Sequence, residues 1–308
     1  MGSGARDAIE SVWGEIVSDA VVYLNGDLVP SADARVSVHD QGLLYGYGVF
    51  ETMRAYQGRV FRKEDHLARL VRSAKQIVIF VDERLSEFDT ALGETLRANG
   101  LDEARIRMTV TGGESLEGPT LTSSGKPNVL VTARGVQEID DGAFERGWKA
   151  VIATRSRHSQ SIGASNKTTS YLENLVARAE ALSGGADEAL ILNERECLTE
   201  GAMTNVFVVQ GNRLCTPAPE CGLLRGITRQ AIIRLAEPLH LLTQDWIPIE
   251  EAMKADEIFA TNSMIEVMPI TSLAGRRIAD GTPGEMTRDL SRRYRALVAR
   301  ELGLNPEP

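Results

Sequence analysis

The first alternation of apolar and polar residues along the chain predicts a hairpin. Val21-Val22-Tyr23-Leu24 and Leu28-Val29 flank Asn25-Gly26, two residues that accept positive φ and favour a tight turn between paired strands. Val49-Phe50-Glu51-Thr52-Met53-Arg54 predicts a strand, entered through Gly46 and Gly48 and turned back at Gln57-Gly58. From Lys63 the period lengthens, and Leu67, Leu70, Val71, Ala74 and Ile77 share one helical face. A second helix is predicted over Leu85 to Asn99, stopped by Gly100. Arg105 to Thr111 alternates again, Gly112-Gly113 opens a polar loop to Lys126, and Val129 to Thr132 reads as another strand. The first half is predicted to be a compact α+β unit.

The second half opens on a short apolar strand, Trp148 to Ala153, followed by a polar run from Thr154 to Thr169. Ser170 is then placed to cap a helix with apolar positions Leu172, Leu175, Val176, Ala179 and Leu182, ended by Gly184-Gly185. Ala189 to Leu192 and Val206 to Val209 read as strands, the second turning at Gln210-Gly211-Asn212. Gly226-Ile227-Thr228 opens a helix carrying Ile232, Ile233, Leu235 and Ala236; a strand at Ile258 to Ala260 and a terminal helix from Met286 to Leu302 follow. The halves are expected to meet between Ala133 and Arg146. With 308 residues, two domains are the natural expectation.

Composition narrows the function classes. The net charge of -9 gives a nucleic-acid partner no electrostatic support. The acidic start, with Asp7, Glu10, Glu15 and Asp19, is wrong for a secretory signal, and Met1 to Gly4 reads as an expression remnant. No stretch has the length of an apolar membrane span. Cys197, Cys215 and Cys221 show no Cys-x-x-Cys pairing, and the four histidines lack ligand spacing, so a reducing cytoplasm and no metal are expected.

Three places could carry chemistry. Lys167, in Ser165-Asn166-Lys167-Thr168-Thr169-Ser170-Tyr171, stands between a buried strand and a helix start, where desolvation would make its amine nucleophilic. Taken alone, it reads more readily as a solvated loop lysine. Glu200, in Thr199-Glu200-Gly201, stands at the junction of two apolar strands, where a fixed carboxylate could pair with a protonated pyridine nitrogen; the plain alternative is a turn glutamate. Leu224-Arg225-Gly226-Ile227-Thr228-Arg229 offers free backbone N–H groups and a positive dipole end to a phosphate, or simply a helix start capped by Thr228.

The order of these pieces resembles the class IV aminotransferases. The resemblance rests on Ser165-Asn166-Lys167 with Tyr171-Leu172-Glu173-Asn174, Asp187-Glu188-Ala189-Leu190, Thr199-Glu200-Gly201 with Thr204-Asn205-Val206-Phe207, and Leu224 to Arg229. Leu44 to Glu51, Phe61-Arg62 and His66 to Leu70 agree with it, so it spans nearly the whole chain. It implies the two-domain, α+β fold type IV architecture for enzymes using pyridoxal 5′-phosphate (PLP). Residues 20–138 would form a small N-terminal domain, and 139–308 a larger one with a barrel-like β core. It further implies that Lys167 binds the cofactor covalently and moves the substrate proton, Tyr171 bonds the phenolic oxygen, and Glu200 meets the pyridine nitrogen. Arg69, Ile227, Thr228 and Ser263 would cup the phosphate, and Tyr45, Thr52, Arg54, Arg107 and Asn262 would meet the substrate. A homodimer or larger assembly is implied, with a partner's loop at about 112–126 closing the site.

The substrate is divided between family members. Branched-chain aminotransferases usually carry Phe-Glu-Gly and Gly-Thr-Ala where this chain has Phe50-Glu51-Thr52 and Asn262-Ser263-Met264, departures that resemble the 4-amino-4-deoxychorismate lyases. Arg107 stands where branched-chain enzymes hold a substrate carboxylate, while the arginine-glycine pair of D-amino-acid enzymes is replaced by Gly112-Gly113. An aminotransferase acting on an amino donor and a 2-oxo acid is the expectation. A lyase releasing 4-aminobenzoate and pyruvate is the rival, and a PLP-binding scaffold without turnover is the third possibility.

Overall fold

The structure is a computed structural model that describes residues 20–116, 118, 121, 126–136, 141–239 and 242–304. The acidic start, Met1 to Gly4 with it, and most of 117–125 in the expected partner loop lie outside the described residues.

Strands β1 (Val21–Leu24), β2 (Asp27–Pro30), β3 (Gly48–Tyr56), β4 (Arg59–Val60), β5 (Ala104–Thr111) and β6 (Val129–Gly135) form an antiparallel sheet in the order β2-β1-β6-β5-β3-β4. Asn25 and Gly26 turn the first hairpin at φ 55° and 114°. Helices α1 (Lys63–Gln76) and α2 (Leu85–Ala98) cover one face of this sheet. Val49, Met53, Ile106, Met108, Val110 and Val131 point to that side and are buried with Leu67, Leu70, Phe88 and Leu92. Each such large side chain contributes roughly 1.5–3 kcal/mol by leaving water. Strand alternation sends Phe50, Thr52, Arg54, Arg105, Arg107 and Thr109 to the other face. There the register sets Thr52 opposite Arg107 and Arg54 opposite Arg105.

The second sheet has nine strands: β7 (Trp148–Ile152), β8 (Glu188–Leu192), β9 (Leu198–Gly201), β10 (Asn205–Gln210), β11 (Arg213–Pro217), β12 (Leu242–Asp245), β13 (Glu257–Asn262), β14 (Glu266–Leu273) and β15 (Arg276–Arg277). They run in the order β12-β11-β10-β13-β14-β7-β8-β9, with β15 on β14. The last strand, β9, comes back to β10 through the turn at Ala202 to Thr204, where the Gly201 N–H donates to the Thr204 carbonyl at 2.7 Å. The sheet therefore curls into a barrel-like core. Helices α3 (Leu172–Ser183), α4 (Ile227–Ala236) and α5 (Glu285–Leu302) lie against it. Ile232, Ile233 and Tyr294 pack with Phe207 and Phe259, whose rings stack at 4.8 Å.

Two local expectations are corrected. Ser170 does not cap α3; Tyr171 occupies the cap position, and no side chain bonds the helix start. The leucines of that helix also face outward, with Leu172 71% exposed, while Ala177 and Ala181 are buried. Small residues let the helix approach β8 closely, and the leucines are left on the opposite side. Among the described residues no helix is long and apolar enough to cross a membrane.

Candidate active site

The two sheets meet at the segment that carries Lys167. The Phe50 N–H donates to the Lys167 carbonyl and the Thr169 N–H to the Gly48 carbonyl, each at 2.9 Å, so residues 167–169 extend the first sheet beside β3. A polar run folds into a strand-like ribbon because β3 supplies the backbone partners it lacks locally. This pairing swings the lysine side chain over the Phe50 ring, with the amine 4.6 Å from its centroid and 5.7 Å from that of Tyr171. The two rings meet edge to face at 5.3 Å. Lys167 is half-buried as a residue, and burial of its amine, aided by the charge of Arg69, pushes it down to about 8. A fraction of the amine is therefore neutral at physiological pH, which a nucleophile and base requires.

Glu200 lies within β9 rather than at a strand junction, and it is anchored at both oxygens. Arg157 donates to Oε1 at 2.5 Å, and the Leu224 N–H and the Asn205 amide donate to Oε2 at 3.0 and 3.2 Å. Burial pushes this carboxyl up, and Arg157 is the main opposing influence. The hydroxyl of Tyr171 donates to the Ala202 carbonyl at 3.3 Å. Lys167, Tyr171 and Glu200 thus converge from three different elements.

The start of α4 lies beside them. Gly226 begins it without any side-chain cap, so Thr228 does not cap and the first N–H groups keep their donor capacity. A Cβ at Gly226 would lie 2.0 Å from the Asn205 oxygen, so only glycine lets the backbone pass so close. Arg69 is no surface arginine. It is buried, its Nη1 donates to the Arg225 carbonyl at 3.0 Å, and Glu51 holds it through two contacts of 2.7 and 2.6 Å. His66 contacts the same carboxylate at 2.8 Å, and burial pushes the imidazole down toward its neutral form. A guanidinium against an uncapped helix start is a fit place for a dianionic phosphate. With Lys167 for an aldehyde and Glu200 for a ring nitrogen, the residues present fit PLP.

The remaining expected residues divide. Ser263 lies in the turn between β13 and β14, and Thr52 faces Arg107 across β3 and β5. The Arg107 guanidinium stacks 3.7 Å above the Phe50 ring and joins the site. Arg54 is spent elsewhere, on Glu266 at 3.1 Å and the Met264 carbonyl at 3.2 Å. Asn262 closes its own turn by accepting from the Met264 and Ile265 N–H groups at 2.8 and 2.9 Å. Tyr45 is 49% exposed, with no side-chain hydrogen bond among the described residues. Phe50, Arg157, Asn205 and the Glu51–His66 pair were not singled out from sequence. Phe50, Glu51, His66 and Asn205 lie inside the motif segments that carry the resemblance, which was their signal, whereas Arg157 had only its place in the polar run. A cleft of about 770 Å³ lined by Arg59, Arg62, Arg97 and Glu301 shares no residue with this site.

The model of the family described as Amino-transferase class IV matches residues 48–273. A putative branched-chain-amino-acid aminotransferase of Methanocaldococcus jannaschii is 34% identical over 276 residues, covering 89% of this chain and 95% of its own. An aminodeoxychorismate lyase of Bacillus subtilis is 31% identical over 256 residues, covering 82% and 86%. Among solved structures, a T.th. branched-chain amino acid aminotransferase complexed with N-(5′-phosphopyridoxyl)-L-glutamate superposes with a TM-score of 0.83. It is 28% identical and covers 94% of this chain and 96% of its own.

Proposed function

The chain belongs to the amino-transferase class IV family, and on that premise we propose that it is a PLP-dependent aminotransferase whose catalytic amine is Lys167. It moves an amino group between an amino acid, or a related amine, and a 2-oxo acid. The observation that carries the reading is the Lys167 amine, desolvated down to about 8 and enclosed with the anchored carboxylate of Glu200. Its fold is the two-domain fold type IV architecture, with 20–138 and 139–308 as the domains of this reading.

When bound, PLP supplies an aldehyde for the substrate nitrogen and a ring that absorbs the electron pair left at Cα. Lys167 would hold the cofactor through its amine, and its neutral Nζ would take the Cα proton and deliver it at C4′. Glu200 holds the ring nitrogen protonated, and Tyr171 bonds the phenolic oxygen. Arg69, the N–H groups of Ile227 and Thr228, and Ser263 take the phosphate. Phe50 and Tyr171 exclude water from the amine, which keeps its proton affinity low. Arg107 orients a substrate carboxylate, with Thr52 beside it.

Support for a homodimer, or a larger assembly, comes from exposed apolar side chains, among them Leu43, Phe80, Ile162 and Leu172. A partner's loop at about 112–126 would then close the site. The free thiols of Cys197, Cys215 and Cys221 are compatible with the cytoplasm.

The test is the half-reaction. The protein loaded with PLP is expected to be yellow, to bleach with borohydride, and to change its spectrum to the amine form of the cofactor with at least one common amino acid. Lys167→Ala should lose both the borohydride reaction and turnover. Release of pyruvate from aminodeoxychorismate, with no amino acid changing the spectrum, would overturn the reading in favour of the lyase.

A further inference from the structure

Arg105 and Arg107 project from the same face of β5, the face that carries Phe50 on β3. Arg107 rests on the Phe50 ring at 3.7 Å, and the Lys167 amine lies over that ring at 4.6 Å, so Arg107 stands at the reacting end of the cleft. Arg105 comes two residues earlier on the strand, a displacement of about 7 Å. Its cross-strand neighbours are Arg54 and Arg134. Arg54 has its counter-charge in Glu266 at 3.1 Å. Arg105 has none: among the described residues it makes neither an ion pair nor a side-chain hydrogen bond, although it is half-buried. Burial and the charges of Arg134 and Arg107 push it down to about 10, which leaves it cationic at neutral pH, and Arg178 on α3 adds a further positive charge.

A partly buried guanidinium without a counter-ion is costly, and proteins keep such groups where a ligand supplies the partner. The chain is acidic overall, with a net charge of -9, so the positive charge gathered beside the catalytic lysine is a local feature. A wall of this kind is a poor lining for a branched apolar side chain, whose burial would desolvate the cation further. It is a good lining for a carboxylate, which the planar guanidinium can hold through two parallel N–H···O bonds.

We propose that Arg105 is a specificity-determining residue that, with Arg107, selects substrates bearing a second carboxylate set back from the reacting amine by a chain longer than that of glutamate. The inference rests on the aminotransferase reading above. Arg107 takes the nearer carboxylate and Arg105 the farther one. The spacing of the two positions fits 2-aminoadipate or 2-aminopimelate, whose extended carbon chains separate their carboxylates by about 7 Å.

The experiment follows single-turnover half-reactions of the PLP-loaded enzyme with aspartate, glutamate, 2-aminoadipate, 2-aminopimelate, leucine and 2-aminohexanoate. One of the two longer dicarboxylates should give the highest kcat/KM, about tenfold or more above 2-aminohexanoate. Arg105→Gln and Arg105→Lys should lower that ratio, with Gln lowering it about tenfold or more and Lys by less. Binding read by calorimetry is the second measurement: adipate or pimelate should bind the unsubstituted holoenzyme at least about tenfold tighter than hexanoate. If 2-aminohexanoate or leucine reacts as well as the dicarboxylates, or if adipate and pimelate bind no better than hexanoate, the inference is overturned while the aminotransferase reading stands. If no amine reacts at all, both fall.

Discussion

The Arg157 guanidinium reaches the Glu200 carboxylate at 2.5 Å in a pair almost wholly withdrawn from water, with side-chain exposures of 4% and 9%. Its other arm donates to Asn174 at 3.1 Å, and Asn174 in turn bonds the Ala202 carbonyl at 2.8 Å. The arginine therefore fixes where the carboxylate points and opposes the upward pull of burial on it. Arg157→Met should destabilise the protein by about 3–5 kcal/mol, the range for a buried pair that loses one partner. Adding Glu200→Gln to that variant should recover part of the loss, because no buried charge is then left alone. Urea unfolding of the two variants checks this. A double variant less stable than Arg157→Met would mean that the carboxylate does not depend on the arginine.

Glu51 presents the opposite balance. Burial raises its carboxyl, but Arg69 and His66 outweigh burial and hold it down to about 2, against an ordinary value of 4.5. A carboxyl held down in the folded chain stabilises it fully above the unfolded value, and that stability is lost as pH falls from about 4.5 toward 2. The contribution is at most about 3 kcal/mol. Glu51→Gln should be less stable than the unsubstituted protein at neutral pH, and the difference should shrink across that acid window. Unfolding free energies at several pH values read the convergence; parallel curves would count against the assignment.

Much of the fold was legible because its determinants are local. Asn25-Gly26 and Gln57-Gly58 turn where their tolerance of positive φ allows, and α1 and α5 follow from apolar spacing alone. The outward leucines of α3 were not legible, since the choice of face depended on how closely β8 could accept Ala177 and Ala181. Within the site, Lys167, Tyr171, Glu200 and the 226–228 turn could be named from their motifs. Arg157 could not. Its partner is 43 residues away, and the two meet because the Arg157 N–H bonds the Leu192 carbonyl at 2.8 Å, alongside β8. Arg54 and Asn262 were matched by motif position, yet Glu266 and the Met264 and Ile265 amides engage them, partners that appear only when β13 turns into β14.

Gly226 tests the closeness of the helix start to the carboxylate. A Cβ there would meet the Asn205 oxygen at 2.0 Å, and Asn205 bonds both Glu200 and the Leu224 carbonyl, the latter at 2.8 Å. Gly226→Ala should therefore shift Asn205 and the first turn of α4 together. The expected cost is about 1–3 kcal/mol, the range for overpacking a tight site. PLP affinity, followed by absorbance titration, should fall with it. Unchanged stability and affinity would mean that the turn has room it is not expected to have.

The Lys167 amine gives the most direct reading of its own burial. Its value in the folded chain is about 8, against an ordinary 10.5. For a base held down in this way the sign is the reverse of a stabilising pair. Between those two values the unfolded chain binds a proton that the folded chain does not, so folding becomes more favourable as pH rises through the window. Below about 8 both states carry the proton and the full penalty is present, at most about 3 kcal/mol. Lys167→Met in the protein without PLP should therefore be more stable than the unsubstituted chain at pH 7, by as much as that penalty. The advantage should then shrink toward pH 10.5 as the lysine loses its charge. Urea unfolding of both proteins across this range reads the difference directly, and the ionisation of other groups, common to both, cancels. A lysine variant no more stable at pH 7, with the same slope as its parent, would place the amine in water and remove the base from the mechanism.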